Sequence, residues 1–274
     1  MTQNREQKKR LDYLLKEFKE DSVQYKDLEV KDNYNDKRMA LRSLMNIRMP
    51  QHMSDDVLKV QDDFLKEEAK EKGIIKLADI PTVKKQERLS IWQGDITRLE
   101  VGAIVNAANS QMLGCFVPCH RCIDNAIHSA AGIQLREECN HIMIQRRLKY
   151  GKNYEEPVGT ATLTKAYNLP CEYVIHTVGP IVYSRLNDAL CQDLRNCYEN
   201  VLKCCVKNNI KSVAFCCIST GEFHFPNDRA AEIAVETVTG FLKKNGNCME
   251  RIIFNVFKDN DLEIYENVLK QLSF

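Results

Sequence analysis

The sequence predicts an α/β fold: a mixed, largely parallel sheet with helices on both faces, preceded by a small helical extension. Three observations predict it. From Arg88 onward, short apolar runs of strand length alternate with longer stretches of helical periodicity, as in a sheet with crossover helices. Before about residue 86 the chain is charge-rich, and its apolar residues recur at helical spacing. Gly159, the pair Gly179-Pro180 and Gly221 fall between the periodic stretches, where turns are needed.

In the extension, Leu11, Leu14, Leu15 and Phe18 form one apolar stripe, Leu41, Leu44 and Met45 a second, and Val57, Val60 and Phe64 a third. Pro50 separates the second from the third, and Ser54 is placed to cap the third ahead of Asp55 and Asp56. Each stripe is too narrow to hold a helix in water alone, so the three are expected to pack on one another and on the following domain. Interleaved basic and acidic residues read as a solvated face, with a partner-binding helix the alternative. Beyond the extension, strands are expected at 89–92, 103–106, 160–164, 173–177, 213–215 and 252–256. Helices are expected at 124–146, 187–207, 228–244 and 262–272.

The totals narrow the class. A chain of 274 residues with 44% hydrophobic content can bury a sizeable core. Its formal net charge of +1 gives no global reason to expect nucleic acid. No run approaches the ~18 apolar residues of a membrane span, and the first ten residues lack the apolar segment of a signal peptide. A cytoplasmic protein with no membrane partner is expected, and a monomer. Most of the 12 cysteines, Cys204, Cys205, Cys216 and Cys217 among them, sit in apolar periodic segments and read as small reduced hydrophobes. Cys115, Cys119 and Cys122 differ: they share a polar-flanked, aperiodic insert with His120.

That insert lies inside the segment around which the reading is organised, from Gly94 to Gly132. The run 103–106 has the character of a buried strand delivering Asn109 and Ser110 into a loop at its carboxyl end, the edge where open α/β sheets bind ligands. Past the insert, Asp124 is placed to start a helix carrying Ile127, Ala130, Ala131 and Leu135. Cys115, His120 and Cys122 offer two thiolates and an imidazole, a set that suits zinc and leaves a tetrahedral position open. Cys119 is either a fourth ligand or idle. A metal held there would sit beside whatever occupies the end of the 103–106 strand. His128 and His176, inside periodic segments, read as core or supporting residues.

Five motifs occur in order: Gly94-Asp-Ile-Thr, Asn106-Ala-Ala-Asn109, Ile127-His-Ser-Ala-Ala-Gly132, Tyr173-Val-Ile-His-Thr-Val-Gly-Pro180 and Ile218-Ser-Thr-Gly-Glu-Phe223. Together they closely resemble those of macrodomains, which bind ADP-ribose. Cys115, His120 and Cys122 in the spacing Cys-x4-His-x-Cys, with the helical extension, resemble the zinc-containing macrodomains, often encoded beside a sirtuin-type ADP-ribosyltransferase and a lipoyl-carrier protein. The resemblance implies a three-layer α/β/α sandwich over residues 87–274, with 1–86 as the extension.

It also implies roles. Asp95, with Ile96 after it, would accept the adenine amino hydrogen, where chemistry alone suggests an Asx-turn. Ser219, Thr220, Gly221 and Glu222 would cradle the diphosphate, and Phe223 would meet the distal ribose. Many macrodomains carry an apolar residue and a glycine where Glu222 and His224 stand, and an acid beside a diphosphate repels it unless it points away. Phe257 would stack on adenine, or is a core phenylalanine. Asn109 would hold the ribose hydroxyls. Asp124 would accept a proton from a water or hydroxyl polarised by Zn2+ held on Cys115, His120 and Cys122, or cap its helix for about 1 kcal/mol, or both. The activity implied is zinc-dependent removal of mono-ADP-ribose from modified protein side chains, with acidic side chains the expected carriers. The alternatives are an ADP-ribose reader and an O-acetyl-ADP-ribose deacetylase.

Overall fold

The computed structural model describes residues 5–84 and 86–271. Three helices come first: α1 (Arg5–Glu20), α2 (Tyr34–Ile47) and α3 (Asp55–Lys72). Their stripes meet as expected. Leu11, Leu14, Leu15, Phe18, Leu41, Leu44, Met45, Val57 and Phe64 form one buried cluster, which also takes in Ile133 of the following part. Each large side chain so buried contributes roughly 1.5–3 kcal/mol. Arg48, itself buried, closes the unit by reaching Asp21 at 2.7 Å. Ser54 occupies the cap position of α3 but makes no capping hydrogen bond with its side chain.

A short parallel pair, β1 (Ile75–Lys76) with β3 (Leu99–Glu100), brings the chain to the main sheet. That sheet has six strands: β2 (Leu89–Gln93), β4 (Ala103–Ala108), β5 (Thr162–Lys165), β6 (Tyr173–Val178), β7 (Ser212–Phe215) and β8 (Arg251–Val256). Their spatial order is β2-β8-β7-β4-β6-β5, all parallel except β5, which runs antiparallel to β6. The interior strands read as continuous apolar runs because both faces are covered.

Topology fixes which helix covers which face. From β4 the chain moves through α4 (Ile123–Ala131) and α5 (Ile133–Tyr150) toward β5 and β6. From β6 it returns through α6 (Asp188–Lys207) to β7, then through α7 (Asn227–Asn245) to β8 and α8 (Asp259–Gln271). Crossovers of one hand running in opposite directions put α4 and α5 on one face and α6 and α7 on the other. Of the N-terminal helices, α2 and α3 pack against α4, and α1 packs on α2 and α3.

Two expectations need correction. The single helix expected over 124–146 is two helices, broken at Gly132, whose φ of +97° stops α4. α5 restarts because the buried Gln61 of α3 accepts the Ile133 N–H at 3.2 Å. The cap of α4 is Cys122, whose sulfur accepts the Asn125 N–H at 3.4 Å, and Asp124 lies inside the first turn. The end expected at residue 272 for the last helix lies outside the described residues. No described helix is long and apolar enough to cross a membrane.

Candidate active site

β4 and β7 are neighbours, yet the chain leaves them in opposite directions. A crevice opens at the carboxyl ends of strands at such a switch point. Its walls are the loop 109–122 after β4 and the loop 216–226 after β7, with Asp95 after β2, Gly179 after β6 and Phe257 after β8 along the same edge.

At the β2 and β8 end, Asp95 Oδ1 accepts from the Thr97 N–H at 3.0 Å and the Thr97 hydroxyl at 2.7 Å. The carboxylate therefore caps the turn containing the buried Ile96. Phe257 is 73% exposed, so it is no core residue. It stands free beside the Asp95 turn, since β2 and β8 are paired through Gln93 and Val256.

The loop after β7 is tightly folded. Ser219, at φ +66°, is buried with its hydroxyl unpartnered, and its carbonyl accepts from the Phe225 N–H. A Cβ on Gly179 would lie 2.1 Å from the Ser219 oxygen, so only glycine lets these two loops approach. Thr220 donates to the Cys217 carbonyl at 3.1 Å, and the half-buried Phe223 accepts from the Val182 N–H at 2.9 Å. Nothing stands within 4 Å of where a Gly221 side chain would be. Glu222 reaches the opposite wall, 3.7 Å from His120 Nε2.

In that wall the donor atoms of Cys115, His120 and Cys122 lie within 4.8 Å of one another, with Cys115 Sγ 3.7 Å from His120 Nδ1. Tetrahedral zinc bonds of roughly 2.0–2.3 Å require donors about 3.5 Å apart, so a small contraction would close this set on the ion. Among the described residues, no fourth metal-ligating side chain joins the group. Cys119 points elsewhere: its sulfur is 3.2 Å from the Ser43 hydroxyl and 3.5 Å from the Met39 carbonyl, both on α2. Burial pushes the Cys122 thiol up to about 12, a preference a bound cation would reverse.

Between the walls stands Asp124, in the first turn of α4 and buried. Its Oδ1 accepts from Asn106 Nδ2 at 2.8 Å and its Oδ2 from Asn109 Nδ2 at 3.3 Å. Burial raises its pKa to about 6, while the Asn106 hydrogen bond and the Arg136 charge pull the other way. Asn106 also lies 3.1 Å from His176 Nδ1. An amide nitrogen can only donate, so Nδ1 accepts and His176 Nε2 carries the proton, which it gives to the Thr164 hydroxyl at 3.0 Å. Burial depresses the His176 imidazole to about 3 and holds the buried His128 well below its usual range. With Cys139 these two form a second close group of donor atoms, wholly interior.

The crevice thus gathers Asn109, Asp124, Cys115, His120 and Cys122, with Ser219 to Phe223 opposite and Asp95 and Phe257 at the far end. Asn106 is the supporting residue that sequence reasoning left without a role. Its signal was a polar residue in an apolar strand, inside a motif already noted.

Residues 105–234 match the family model described as Macro domain. The chain is 46% identical over 265 residues to the protein-ADP-ribose hydrolase of Treponema medium, covering 96% of this chain and 99% of that one. To the protein-ADP-ribose hydrolase of Staphylococcus aureus strain Mu50 it is 41% identical over 268 residues, 96% of each chain. Its fold superposes with a TM-score of 0.63 on the crystal structure of the Trypanosoma brucei macrodomain in complex with ADP-ribose, at 27% identity, covering 80% of this chain and 92% of that one.

Proposed function

Because the chain belongs to the macrodomain family, we propose that it is a zinc-dependent protein ADP-ribosylhydrolase that removes mono-ADP-ribose from acidic side chains and releases ADP-ribose. The observation that carries this reading is a buried carboxylate, Asp124, held by two amide donors and starting the same helix that Cys122 caps. The hydrolase names of relatives matching nearly the full length support the reaction class. The thiol and imidazole donor set supports zinc.

In this reading Asp95 and Phe257 take adenine, the loop from Ser219 to Phe223 takes the diphosphate, and Asn109 orients the distal ribose. The unpartnered Ser219 hydroxyl is a polar group available to the ligand. Glu222 is turned toward His120, which takes its charge toward the opposite wall. Cys115, His120 and Cys122 would hold the zinc ion, which supplies Lewis-acid polarisation at the anomeric end when bound. Asp124, poised by burial near neutral pH, accepts the proton of the attacking oxygen. Asn106 and Asn109 fix the direction in which its two oxygens point. Residues 1–86 form the extension and 87–274 the macrodomain.

The test is ADP-ribose release from an aspartate- or glutamate-linked mono-ADP-ribosylated protein, with a sirtuin-modified lipoyl-carrier protein as the first substrate, with and without a zinc chelator. Calorimetric binding of ADP-ribose is measured alongside. Turnover lost on chelation and in Cys122→Ala, with binding retained, is the expected result. Tight binding without turnover on any linkage would make the protein a reader, and full activity after chelation would remove zinc from the reaction.

A further inference from the structure

α2 has two faces. Leu41, Leu44 and Met45 turn into the N-terminal core, whereas Arg42 and Asn46, one helical turn apart, turn toward the insert that bears Cys115, His120 and Cys122. The polar face is spent on the insert and its attachment. Asn46 is buried, and its Oδ1 accepts the Cys119 N–H at 2.9 Å while its Nδ2 donates to the Ser129 hydroxyl at 2.9 Å. Arg42 Nη2 donates to Asn125 Oδ1 at 2.7 Å and lies 3.4 Å from the His120 carbonyl. Asn125 continues the connection: its Nδ2 donates to the Val117 carbonyl at 3.0 Å, and its backbone N–H donates to the Cys122 sulfur.

These bonds act on a strained turn. Cys119 sits at φ +52°, a left-handed conformation costing a non-glycine residue roughly 1–2 kcal/mol. Such a conformation persists where its surroundings over-determine it. Here the surroundings are Asn46 on its N–H, Ser43 and Met39 on its sulfur, and Arg42 on the next carbonyl, all from α2. The strained residue is the one that turns the chain between His120 and the loop leading back to Cys115.

We propose that α2 is a working part of the metal centre. Asn46 and Arg42 are positioning residues that hold the turn 117–122 in the conformation in which His120 and Cys122 face Cys115, so that zinc meets a formed site instead of ordering a loop. The inference rests on the zinc reading above and assigns the N-terminal helices a task within it. Supporting residues of this kind typically change metal affinity by about 10- to 100-fold when removed.

The experiment uses the full chain and zinc itself, titrated against a chromophoric competing chelator, for the parent, Arg42→Ala, Asn46→Ala and Asn46→Asp. Arg42→Ala and Asn46→Ala are expected to weaken zinc binding at least about tenfold, with ADP-ribose affinity within a few-fold of the parent. Asn46→Asp keeps the acceptor for the Cys119 N–H and is expected to recover most of the zinc affinity. Should Asn46→Ala fail to fold, Arg42→Ala and Asn46→Asp carry the comparison. Zinc affinity unchanged in Arg42→Ala, and in Asn46→Ala where it folds, with only the melting temperature lowered, would overturn the proposal and leave α2 as packing alone. A parent that takes up no zinc would overturn it together with the zinc reading, so the two failures are told apart by the parent's own titration.

Discussion

Replacing Asn106 by leucine keeps its branched shape while removing the amide that bridges Asp124 and His176. Two buried hydrogen bonds are lost, one at 2.8 Å to a carboxylate and one at 3.1 Å to an imidazole. A bond to a charged group contributes about 1.5–3 kcal/mol and a neutral one about 1 kcal/mol, so a loss on the order of 3 kcal/mol is expected at pH 8. The pH dependence distinguishes this loss from a packing defect. Asp124 has a folded pKa of about 6, above its ordinary 3.8, so ionising it in the fold costs stability as pH rises through 6. Without the Asn106 donor that pKa climbs further. The added cost, about 1.4 kcal/mol per unit of further shift, is present at pH 8 and largely gone at pH 5, where Asp124 is protonated in both folded proteins. Urea unfolding of parent and variant at both pH values measures it, and initial rates across the same range should show the acid limb of activity moved upward. A destabilisation equal at pH 5 and pH 8, or an acid limb that stays in place, would refute the bridging role.

Three further outcomes follow from the same geometry. Phe257→Ala removes an exposed ring, so thermal stability should move little, while ADP-ribose binding by calorimetry should weaken about tenfold or more if the ring stacks on a base for roughly 1–3 kcal/mol; unchanged affinity would release Phe257 from the site. Gly114→Ala forces a side chain onto a residue at φ +78° and places its Cβ 2.8 Å from the His128 ring, so a loss of about 2 kcal/mol is expected in denaturant unfolding. His176, neutral in the fold with its pKa lowered from 6.5 to about 3, should make the protein lose stability as pH falls below 6.5, by up to about 1.4 kcal/mol per pH unit. His176→Gln should flatten that slope by about one proton, as read from melting temperatures between pH 6.5 and 4.5.

The parts of this molecule legible from sequence are those whose physics is local. Buried parallel strands are continuous apolar runs, so the interior strands β4, β6, β7 and β8 stand out; the edge strands β2 and β5 are lower in apolar content but are bounded by turns, and all six lie within two residues of their expected ends. The break at Gly132 was hidden because Ile127, Ala131 and Leu135 keep helical phase across it, and all three are buried. What distinguishes two helices from one is the Gln61 side chain capping Ile133 from 72 positions away. Cysteine is not among the side chains that ordinarily cap helices, so residue type favours Asp124 as the cap, whereas Cys122 holds that position and leaves Asp124 within the first turn.

The same division runs through the candidate site. Residue types that can bind a metal are visible one at a time, so Cys115, His120 and Cys122 can be nominated from type and spacing, whereas Asp124 is nominated by the resemblance to macrodomains. Their supports cannot be nominated in this way. Asn106 meets His176 because β4 and β6 pair in a register that sets these two residues side by side, a fact carried by neither strand alone. Arg42 and Asn46 reach the insert across more than seventy residues, and Arg136, 21 positions along, binds carbonyls of α2's last turn, Leu113 and Cys115 at once. A reading confined to local pattern therefore finds candidate groups and misses what orients them. Orientation depends on contacts between distant segments, so substitutions at Asn106, Arg42 and Asn46 probe the site more sharply than removal of a nominated ligand, whose loss would be expected from its chemistry alone.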